Sequence, residues 1–250
     1  MFVPKISAII PAASEEKYLP TAIASLKADG YSALEIIVVV NGAKDKTAAI
    51  AKEQADIVLE YPQLLGYGGA RNEGAKVATG EILVFMDADI VIEKGTLSAI
   101  VNAIVSPHVF GTVRSRPDLP RLKYRIFFFV KYILQVCRIS KIIAGIRFCH
   151  VQLFHTMGGY NAKCVVDENY NFNCRALAAG GQHVFVDSHQ ATVSMRRFEQ
   201  EGFLKMGWFW ILARLHSLGI ITSQKFLRGT YTYLRQTFPR PQKRSAFRWW

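Results

Sequence analysis

The chain has 250 residues, of which 50% are hydrophobic and 20% charged, with 16 Phe and 10 Tyr. This composition excludes a disordered chain, and the length suits one α/β domain with or without a helical extension. The net charge of +12 is uneven, because residues 1–113 contribute −4, residues 114–195 contribute +7 and residues 196–250 contribute +9. The basic, aromatic second half predicts an anionic partner, either phosphates or a membrane surface.

The first half alternates short apolar runs with segments of helical periodicity. This pattern predicts βα units around a mostly parallel sheet. The expected strands are residues 5–10, 35–41, 56–60 and 81–86, and the expected helices are residues 19–27, 45–53, 69–78 and 94–104. The Ile-Ile-Val-Val-Val run within 35–41 indicates a strand buried on both faces.

After Pro107 the pattern is looser. Pro117 and Pro120 predict a loop, and a basic apolar segment follows. Further on, the sequence predicts strands at residues 151–154, 183–186 and 191–195, and a helix at residues 168–179. Charged residues interrupt the apolar stretches 126–146 and 203–221, so both are predicted to be amphipathic helices that pack or lie on an interface.

The cysteines and the amino terminus indicate the compartment. The four cysteines form no CxxC pair and have no histidine at zinc-finger spacing, which disfavours a structural metal or a disulfide framework. The first residues lack the basic and apolar regions of a secretory signal. We therefore expect a cytoplasmic protein.

The tripeptide Asp87-Ala88-Asp89 follows the predicted strand 81–86. Residues two apart at the end of a strand project to the same side, so two carboxylates would lie over one spot at the sheet edge where α/β proteins bind ligands. Such a pair suits Mg²⁺ or Mn²⁺ that also holds the phosphates of a sugar nucleotide. The alternative is that two surface aspartates merely begin a turn.

Four segments occur in an order that resembles family-2 glycosyltransferases with the GT-A fold. They are residues 7–16, VVVNGAKDKT at 38–47, GYGGARNEGAKVATG at 66–80 and FMDAD at 85–89. The resemblance is strong over residues 5–95 and weaker through Gly158-Gly159-Tyr160 and residues 167–180. Two departures stand out: Asn41-Gly42 replaces two acidic residues, and Asp167-Glu168-Asn169 replaces the usual Glu-Asp.

The resemblance implies a nucleotide site at the ends of the first two strands. The backbone at Pro11 and Ala12 would face the nucleotide, Glu15 would contact its base or ribose, and Asn41 would bind the base edge. Helix capping by the Ser14–Glu16 segment is an equal alternative for Glu15.

The resemblance also implies residues that handle the diphosphate. Arg71, expected near the start of a helix, would neutralise a phosphate, with a salt bridge as the alternative. Because position 71 is Arg, the GxGxxG pattern of a dinucleotide oxidoreductase fails. Asp89, with Asp87, would hold the metal. Arg196 and Arg197 would hold the leaving diphosphate or simply begin a solvated helix.

For the catalytic base, the resemblance points to Glu168, with Asp167 as second choice. Both would lie opposite the diphosphate in an inverting transfer. The alternative is that the two acids only cap the helix and favour its positive end.

The expected architecture is a GT-A α/β domain over residues 1–195 with a basic helical extension over residues 196–250. Residues 1–113 would form the nucleotide-sugar half and residues 114–195 the acceptor half. The basic aromatic tail 225–250 predicts contact with an anionic membrane rather than nucleic acid, or a disordered end.

The expected function is metal-dependent, inverting transfer of a sugar from a nucleotide diphosphate sugar to a lipid-linked or saccharide acceptor. The protein would lie peripherally on the inner face of the membrane. The alternatives are a sugar-phosphate nucleotidyltransferase, which normally has a glycine-rich GGxGTRL start that this sequence lacks, and a non-catalytic protein bound to the membrane surface.

Overall fold

A computed structural model describes residues 3–137, 145–164, 167–217 and 220. The chain divides into two compact units, Met1–Met195 and Arg196–Trp250. The strands of the first unit are β1 (Ile6–Ala12), β2 (Leu34–Asn41), β3 (Ile57–Tyr61), β4 (Ile82–Phe85), β5 (Ile90–Ile92), β6 (Val109–Pro117), β7 (Arg147–His150) and β8 (Gln182–Val193). Its helices are α1 (Leu19–Ala28), α2 (Thr47–Gln54), α3 (Gly66–Val77), α4 (Thr96–Ala103), α5 (Leu122–Val136), α6 (Val151–Thr156) and α7 (Glu168–Ala178).

The eight strands form one sheet in the order β3-β2-β1-β4-β7-β6-β8-β5. Strands β3, β2, β1 and β4 are mutually parallel, as the βα pattern of the first half predicts. Strand β7 runs antiparallel between β4 and β6, β6 is parallel to β8, and β5 is antiparallel to β8. The expected α/β class with a mostly parallel sheet is confirmed.

Helices cover both faces of the sheet, because alternate residues of the buried strands point to opposite sides. On one face, Ile10 of β1 belongs to the same core as Leu19 and Ile23 of α1. On the other face, Ile9 belongs to a second core with Ala70 of α3 and Phe172 of α7. Residues 36–41 of β2 are all buried, as expected for a strand covered on both sides.

A buried carboxylate fastens the beginning of the sheet. Glu35 of β2 forms an ion pair with Lys5 at 2.8 Å and accepts hydrogen bonds from the Ser7 hydroxyl and from Thr79, whose backbone nitrogen lies at 2.6 Å. Burial raises the pKa of Glu35, but these hydrogen bonds outweigh burial and lower the pKa to about 2. The carboxylate therefore joins β1, β2 and the segment that leads into β4.

Two sequence-based predictions of local structure differ from the fold. Residues 151–154, predicted as a strand, lie in helix α6, where the His150 side chain accepts a hydrogen bond from the backbone nitrogen of Gln152 and caps the helix. The segment predicted as a loop around Pro117 is the end of β6. Pairing with β8 extends to Pro117 itself, so tertiary contacts overcome the weak local signal.

The second unit begins with α8 (Arg196–Glu201) and α9 (Phe203–Ser217), which pack against each other. The rings of Phe198 and Phe203 lie 5.8 Å apart, and Lys205 forms an ion pair with Glu201. The basic aromatic tail 225–250 lies outside the described residues. Within the described part of the chain, no helix has both the length and the apolar character needed to cross a membrane.

Candidate active site

Strands β1 and β4 diverge at the carboxyl edge of the sheet. Strand β1 pairs with β2 as far as Ala12, whereas its pairing with β4 ends where Ile9 meets Phe85. The strand order reverses direction between β1 and β4, and open α/β sheets bind ligands at such a switch point. Pro11 and Ala12 lie at this point and are buried. Their contact with a nucleotide stays a prediction.

Two loops at this edge are fastened to each other. The Ser14 hydroxyl accepts a hydrogen bond from the Lys44 backbone nitrogen at 3.0 Å, and the Glu15 backbone nitrogen donates to the Thr47 hydroxyl at 2.8 Å. Asp45 accepts from the Glu16 backbone nitrogen at 3.2 Å. These bonds hold the segment that carries Glu15 against the start of α2.

The hydrogen bonds at the start of α1 show how far Glu15 caps this helix. Tyr18 is the N-cap residue, and its side chain makes no capping hydrogen bond. The Glu15 backbone carbonyl accepts hydrogen bonds from the backbone nitrogens of Tyr18 and Leu19 at 3.0 and 2.9 Å. The backbone of Glu15 therefore performs part of the capping, while the nucleotide role of its side chain stays a prediction.

Asn41 ends β2 and is buried. Its Oδ1 accepts a hydrogen bond from the Leu65 backbone nitrogen at 2.7 Å, which ties the end of β2 to the start of α3. An Asn side chain carries both an acceptor and two donors. Because Oδ1 is used in this way, recognition of a base edge, which stays a prediction, would rely on the amide nitrogen.

Asp87 and Asp89 lie in a turn between β4 and β5, not at the end of an extended strand. The Ile90 backbone nitrogen donates to the Asp87 carbonyl at 3.2 Å, and β4 ends at Phe85. The expected strand geometry for this pair is therefore wrong, since a tight turn replaces the alternation of an extended chain. Both aspartates are half-buried.

Arg71 lies in the second turn of α3, because the helix begins at Gly66 and not at residue 69 as predicted. Its guanidinium donates to Asp87 Oδ1 at 2.6 Å and to Glu168 Oε1 at 3.1 Å. The Arg71 side chain is only 4% exposed. Arg71 joins a residue of the β4–β5 turn to a residue 97 positions away from Arg71 in the chain. These contacts are the salt bridge that was the alternative to phosphate binding, and this salt bridge is buried and not on the surface.

The surroundings of Arg71 keep it charged. Burial favours the neutral form, but the Tyr160 oxygen, Asp87 and Glu168 outweigh burial and hold the pKa of Arg71 above its ordinary value. The guanidinium carbon also lies 5.2 Å from the centre of the Tyr160 ring and 5.7 Å from that of Tyr67. The positive charge is therefore a fixed part of the site, while its role toward phosphate stays a prediction.

Glu168 is the first residue of α7, where the sequence predicts a helix to begin. Its side chain is 17% exposed, and its Oε1 accepts from Arg71. The neighbouring Asn169 Oδ1 lies 3.4 Å from the same guanidinium nitrogen. Asp167 precedes them as the N-cap residue, with φ of 59°, and is buried. Among the described residues, the Glu168 carboxylate is held through its Oε1.

Tyr160 is positioned by contacts from two helices. The Asn72 side chain of α3 makes two hydrogen bonds of 2.8 Å with the backbone nitrogen and carbonyl of Tyr160. Arg175 of α7 donates to the carbonyls of Gly159, at 2.6 Å, and Met157. Gly158 and Gly159 both have positive φ near 70°, which requires glycine in this turn. The Tyr160 hydroxyl is buried with no hydrogen-bond partner among the described residues.

A second buried arginine lies near this cluster, and no sequence motif pointed to it. Arg147 begins β7 directly opposite Phe85 of β4 and is 1% exposed. Burial lowers its pKa and the charge of Arg71 adds to this, while Tyr160, Glu168 and Asp87 act in the opposite direction. The only sequence signal was a single arginine at the start of the apolar run Arg147-Phe148-Cys149. That signal does not predict burial, because the burial of this arginine depends on strand pairing.

The sequence also predicts that two arginines hold the leaving diphosphate. Arg196 and Arg197 are the first residues of α8 in the second unit, and their contact with a diphosphate stays a prediction.

No cluster of three or more His, Cys, Asp or Glu side chains suited to a metal ion occurs among residues 3–137, 145–164 and 167–217. Asp87 and Asp89 therefore form at most a two-carboxylate site.

The chain belongs to glycosyltransferase family 2, because residues 7–156 match the model named Glycosyl transferase family 2. It is 35% identical over 114 residues to an uncharacterised glycosyltransferase of Nostoc sp. and 34% identical over 103 residues to the minor teichoic acid biosynthesis protein GgaB of Bacillus subtilis. These matches cover 44% and 38% of this chain but 35% and 11% of the two relatives.

Solved structures show the same fold at low sequence identity. The mannosyltransferase PcManGT from Pyrobaculum calidifontis, in complex with GDP-Man and Mn²⁺, is 19% identical with a TM-score of 0.72, over 94% of this chain and 71% of that one. S. aureus TarS 1–349 in complex with UDP is 20% identical with a TM-score of 0.60, over 76% and 61% of the two chains. The expected GT-A fold is confirmed.

Proposed function

We propose that this protein transfers a sugar from a nucleotide diphosphate sugar to an acceptor hydroxyl, with inversion and with the help of a divalent metal ion. The observation that carries the proposal is the bridge from Arg71 to Asp87 and Glu168. It couples a residue of the predicted metal pair to the predicted base. Family membership and the GT-A fold support the same reaction class.

The donor would bind at the carboxyl edge of the sheet, between β1 and β4. The nucleotide would lie along Pro11, Ala12 and Glu15, with the Asn41 amide at the base. The fold neighbours support this donor class, since their structures contain UDP, UDP-GlcNAc or GDP-Man. The sugar and base are not specified by these residues, because one or two pocket contacts decide them.

Asp87 and Asp89 suit a hard divalent cation. Mg²⁺ and Mn²⁺ prefer oxygen ligands, and Mg²⁺ is commonly held by one or two carboxylates together with substrate phosphates. Arg71 occupies Asp87 Oδ1, so Asp89 and the second oxygen of Asp87 would hold the cation. Bound there, the cation would neutralise charge on the departing diphosphate. Two fold neighbours were solved with Mn²⁺.

Glu168 would act as the general base. Its Oε2 would accept the proton of the acceptor hydroxyl as that oxygen attacks the sugar, while Arg71 holds Oε1 and fixes the carboxylate. General-base catalysis requires a positioned group within hydrogen-bond reach of the proton. Asn169 cannot take this role because an amide is a poor proton acceptor, and Asp167 is the second choice.

We infer a lipid-linked or saccharide acceptor and a peripheral position on the inner face of the membrane. The basic second half of the chain suits the anionic surface of that leaflet. The match to a teichoic acid biosynthesis protein supports an acceptor from surface-polymer synthesis, although it covers only 11% of that protein. We assign no nucleic-acid partner.

The test is a screen of UDP-sugars and GDP-sugars for slow release of nucleoside diphosphate, with Mn²⁺, Mg²⁺ or chelator. We expect release that depends on the metal and falls about a hundredfold or more in Asp89→Ala. Glu53→Ala, which removes an exposed carboxylate of α2, is the matched control and should retain full activity. Full activity with chelator would contradict the metal assignment. Pyrophosphate release from a nucleoside triphosphate and a sugar 1-phosphate, supplied in a parallel reaction, would indicate a nucleotidyltransferase. No product with any donor would indicate a binding protein.

A further inference from the structure

Helix α5 presents an apolar stripe to solvent. Six apolar side chains are each between 40% and 70% exposed, namely Leu122, Ile126, Phe129, Val130, Ile133 and Val136. Single exposed apolar residues are ordinary, but a contiguous patch of this kind marks an interaction surface.

These six residues lie on one side of the helix. At about 100° per residue they fall within an arc of about 120°. The opposite side holds Tyr124, Phe128 and Gln135, which are buried. Gln135 donates to the Thr112 hydroxyl of β6 at 2.5 Å. Because the buried side is packed and hydrogen-bonded, the helix cannot turn its apolar stripe inward.

Basic residues border the stripe on both sides. At the same angular step, Lys123 falls at one edge of the arc and Arg125 at the other, and both side chains are exposed. Arg121 precedes the helix and is also exposed. Helix α5 contains no Asp or Glu. An apolar face bordered by Lys and Arg, whose long side chains can reach a polar boundary, is typical of a helix that lies in a membrane interface.

We propose that the exposed face of α5, consisting of these six apolar residues with Arg121, Lys123 and Arg125, docks on an anionic lipid bilayer. Anionic headgroups complement the basic border, and acyl chains accept the apolar stripe. A second copy of the chain fits less well, since a symmetric contact would bring the same basic residues toward each other.

The position of α5 indicates what docking on a bilayer would do for catalysis, and this step rests on the function proposed above. Helix α5 follows β6 and leads toward β7, whose first residue, Arg147, lies opposite the end of β4. Burial, together with the charge of Arg147, lowers the pKa of Lys131 on α5. Lys131 is therefore near enough to Arg147 for the two charges to interact, and docking of α5 would bring this part of the sheet toward a lipid-linked acceptor.

The test is sedimentation of the full chain with vesicles of phosphatidylcholine that contain about a third phosphatidylglycerol, and with phosphatidylcholine alone. We expect the double variant Phe129→Ser/Ile133→Ser to bind the anionic vesicles about tenfold or more weakly. Val105→Ser is the control, because Val105 is an apolar residue, 81% exposed, that lies on the loop before β6 and outside α5. It should bind as the wild type does.

The charge reversal Lys123→Glu/Arg125→Glu separates the electrostatic contribution. It should remove the preference for anionic vesicles. Unchanged vesicle binding in both double variants would overturn the proposal, and so would a wild-type dimer that dissociates in Phe129→Ser/Ile133→Ser with no change in vesicle binding. Release of nucleoside diphosphate from a soluble donor should be unaffected. A chain that docks but releases no nucleotide would overturn the proposed function and leave the docking surface intact.

Discussion

Replacing Arg71 with Met should destabilise the fold strongly, because one guanidinium serves two carboxylates. The substitution keeps an unbranched apolar stem of similar length but removes the hydrogen bonds to Asp87 and Glu168. Both carboxylates would then lie in a partly buried site without their partner. The contacts of the guanidinium with the Tyr160 and Tyr67 rings would also be lost.

The magnitude follows from the exposure of the two acids. Removing one partner of a buried ion pair typically costs about 3–5 kcal/mol. The side chains of Asp87 and Glu168 are 30% and 17% exposed, so water partly compensates each of them. We therefore expect the lower end, about 3 kcal/mol. For a protein of this size, that loss corresponds to a fall in Tm of about 6–12 °C.

The assay is urea unfolding at neutral pH together with a thermal melt. Arg116→Met is the matched control, since Arg116 is 49% exposed and forms an ion pair with Glu93 at 2.9 Å. A surface pair of this kind contributes about 1 kcal/mol or less. Arg71→Lys retains the charge but not the two-pronged geometry, and should recover part of the stability. If Arg71→Met cost no more than Arg116→Met, the bridge would not hold the site together.

Three further predictions test single groups. Glu168→Gln should lower turnover about a hundredfold with donor binding intact. Steady-state rates measure the first effect and a donor titration the second. A normal rate in this variant, together with an inactive Asp167→Asn enzyme, would move the base to Asp167. Tyr160→Phe removes a buried hydroxyl without a described partner and should raise stability by about 1 kcal/mol in a thermal melt; a loss of stability would show that the hydroxyl is satisfied. Because the pKa of Glu35 is lowered in the folded state, its ionised form stabilises the protein above about pH 4.5 and this contribution disappears as the pH falls toward 2. Glu35→Gln should therefore cost about 2 kcal/mol at pH 7 and progressively less below pH 4.5 in urea titrations, and a cost independent of pH would contradict this.

Local sequence patterns were sufficient for the first half of the sheet. Apolar runs of β1, β2 and β4, separated by helical periods, specify parallel strands because each strand is buried on both faces and each helix on one. The same local order placed Asp87 and Asp89 at the carboxyl edge. It also placed Glu168 at the start of α7, since an acidic residue commonly occupies the first turn of a helix.

Local patterns failed where long-range pairing decides the structure. Strand β6 extends to Pro117, and residues 151–154 form a helix because His150 caps it and strand β7 ends just before it. In the second half, strands of both directions are mixed in the sheet, and each strand's neighbours come from distant parts of the chain. Short strands of this kind carry little periodicity of their own.

Local hydrophobic period and motifs read in order were enough to predict the α/β class and the sheet edge at which the acidic residues of the candidate site lie. What those residues contact depends on the tertiary fold. Arg71 was expected near a helix start and instead lies buried between Asp87 and Glu168, 16 and 97 positions away. Arg147 became part of the same cluster when β7 paired with β4. The charge balance of a buried site depends on which strands and helices meet in the fold. Because those elements are far apart in the chain, no local sequence pattern specifies that they meet.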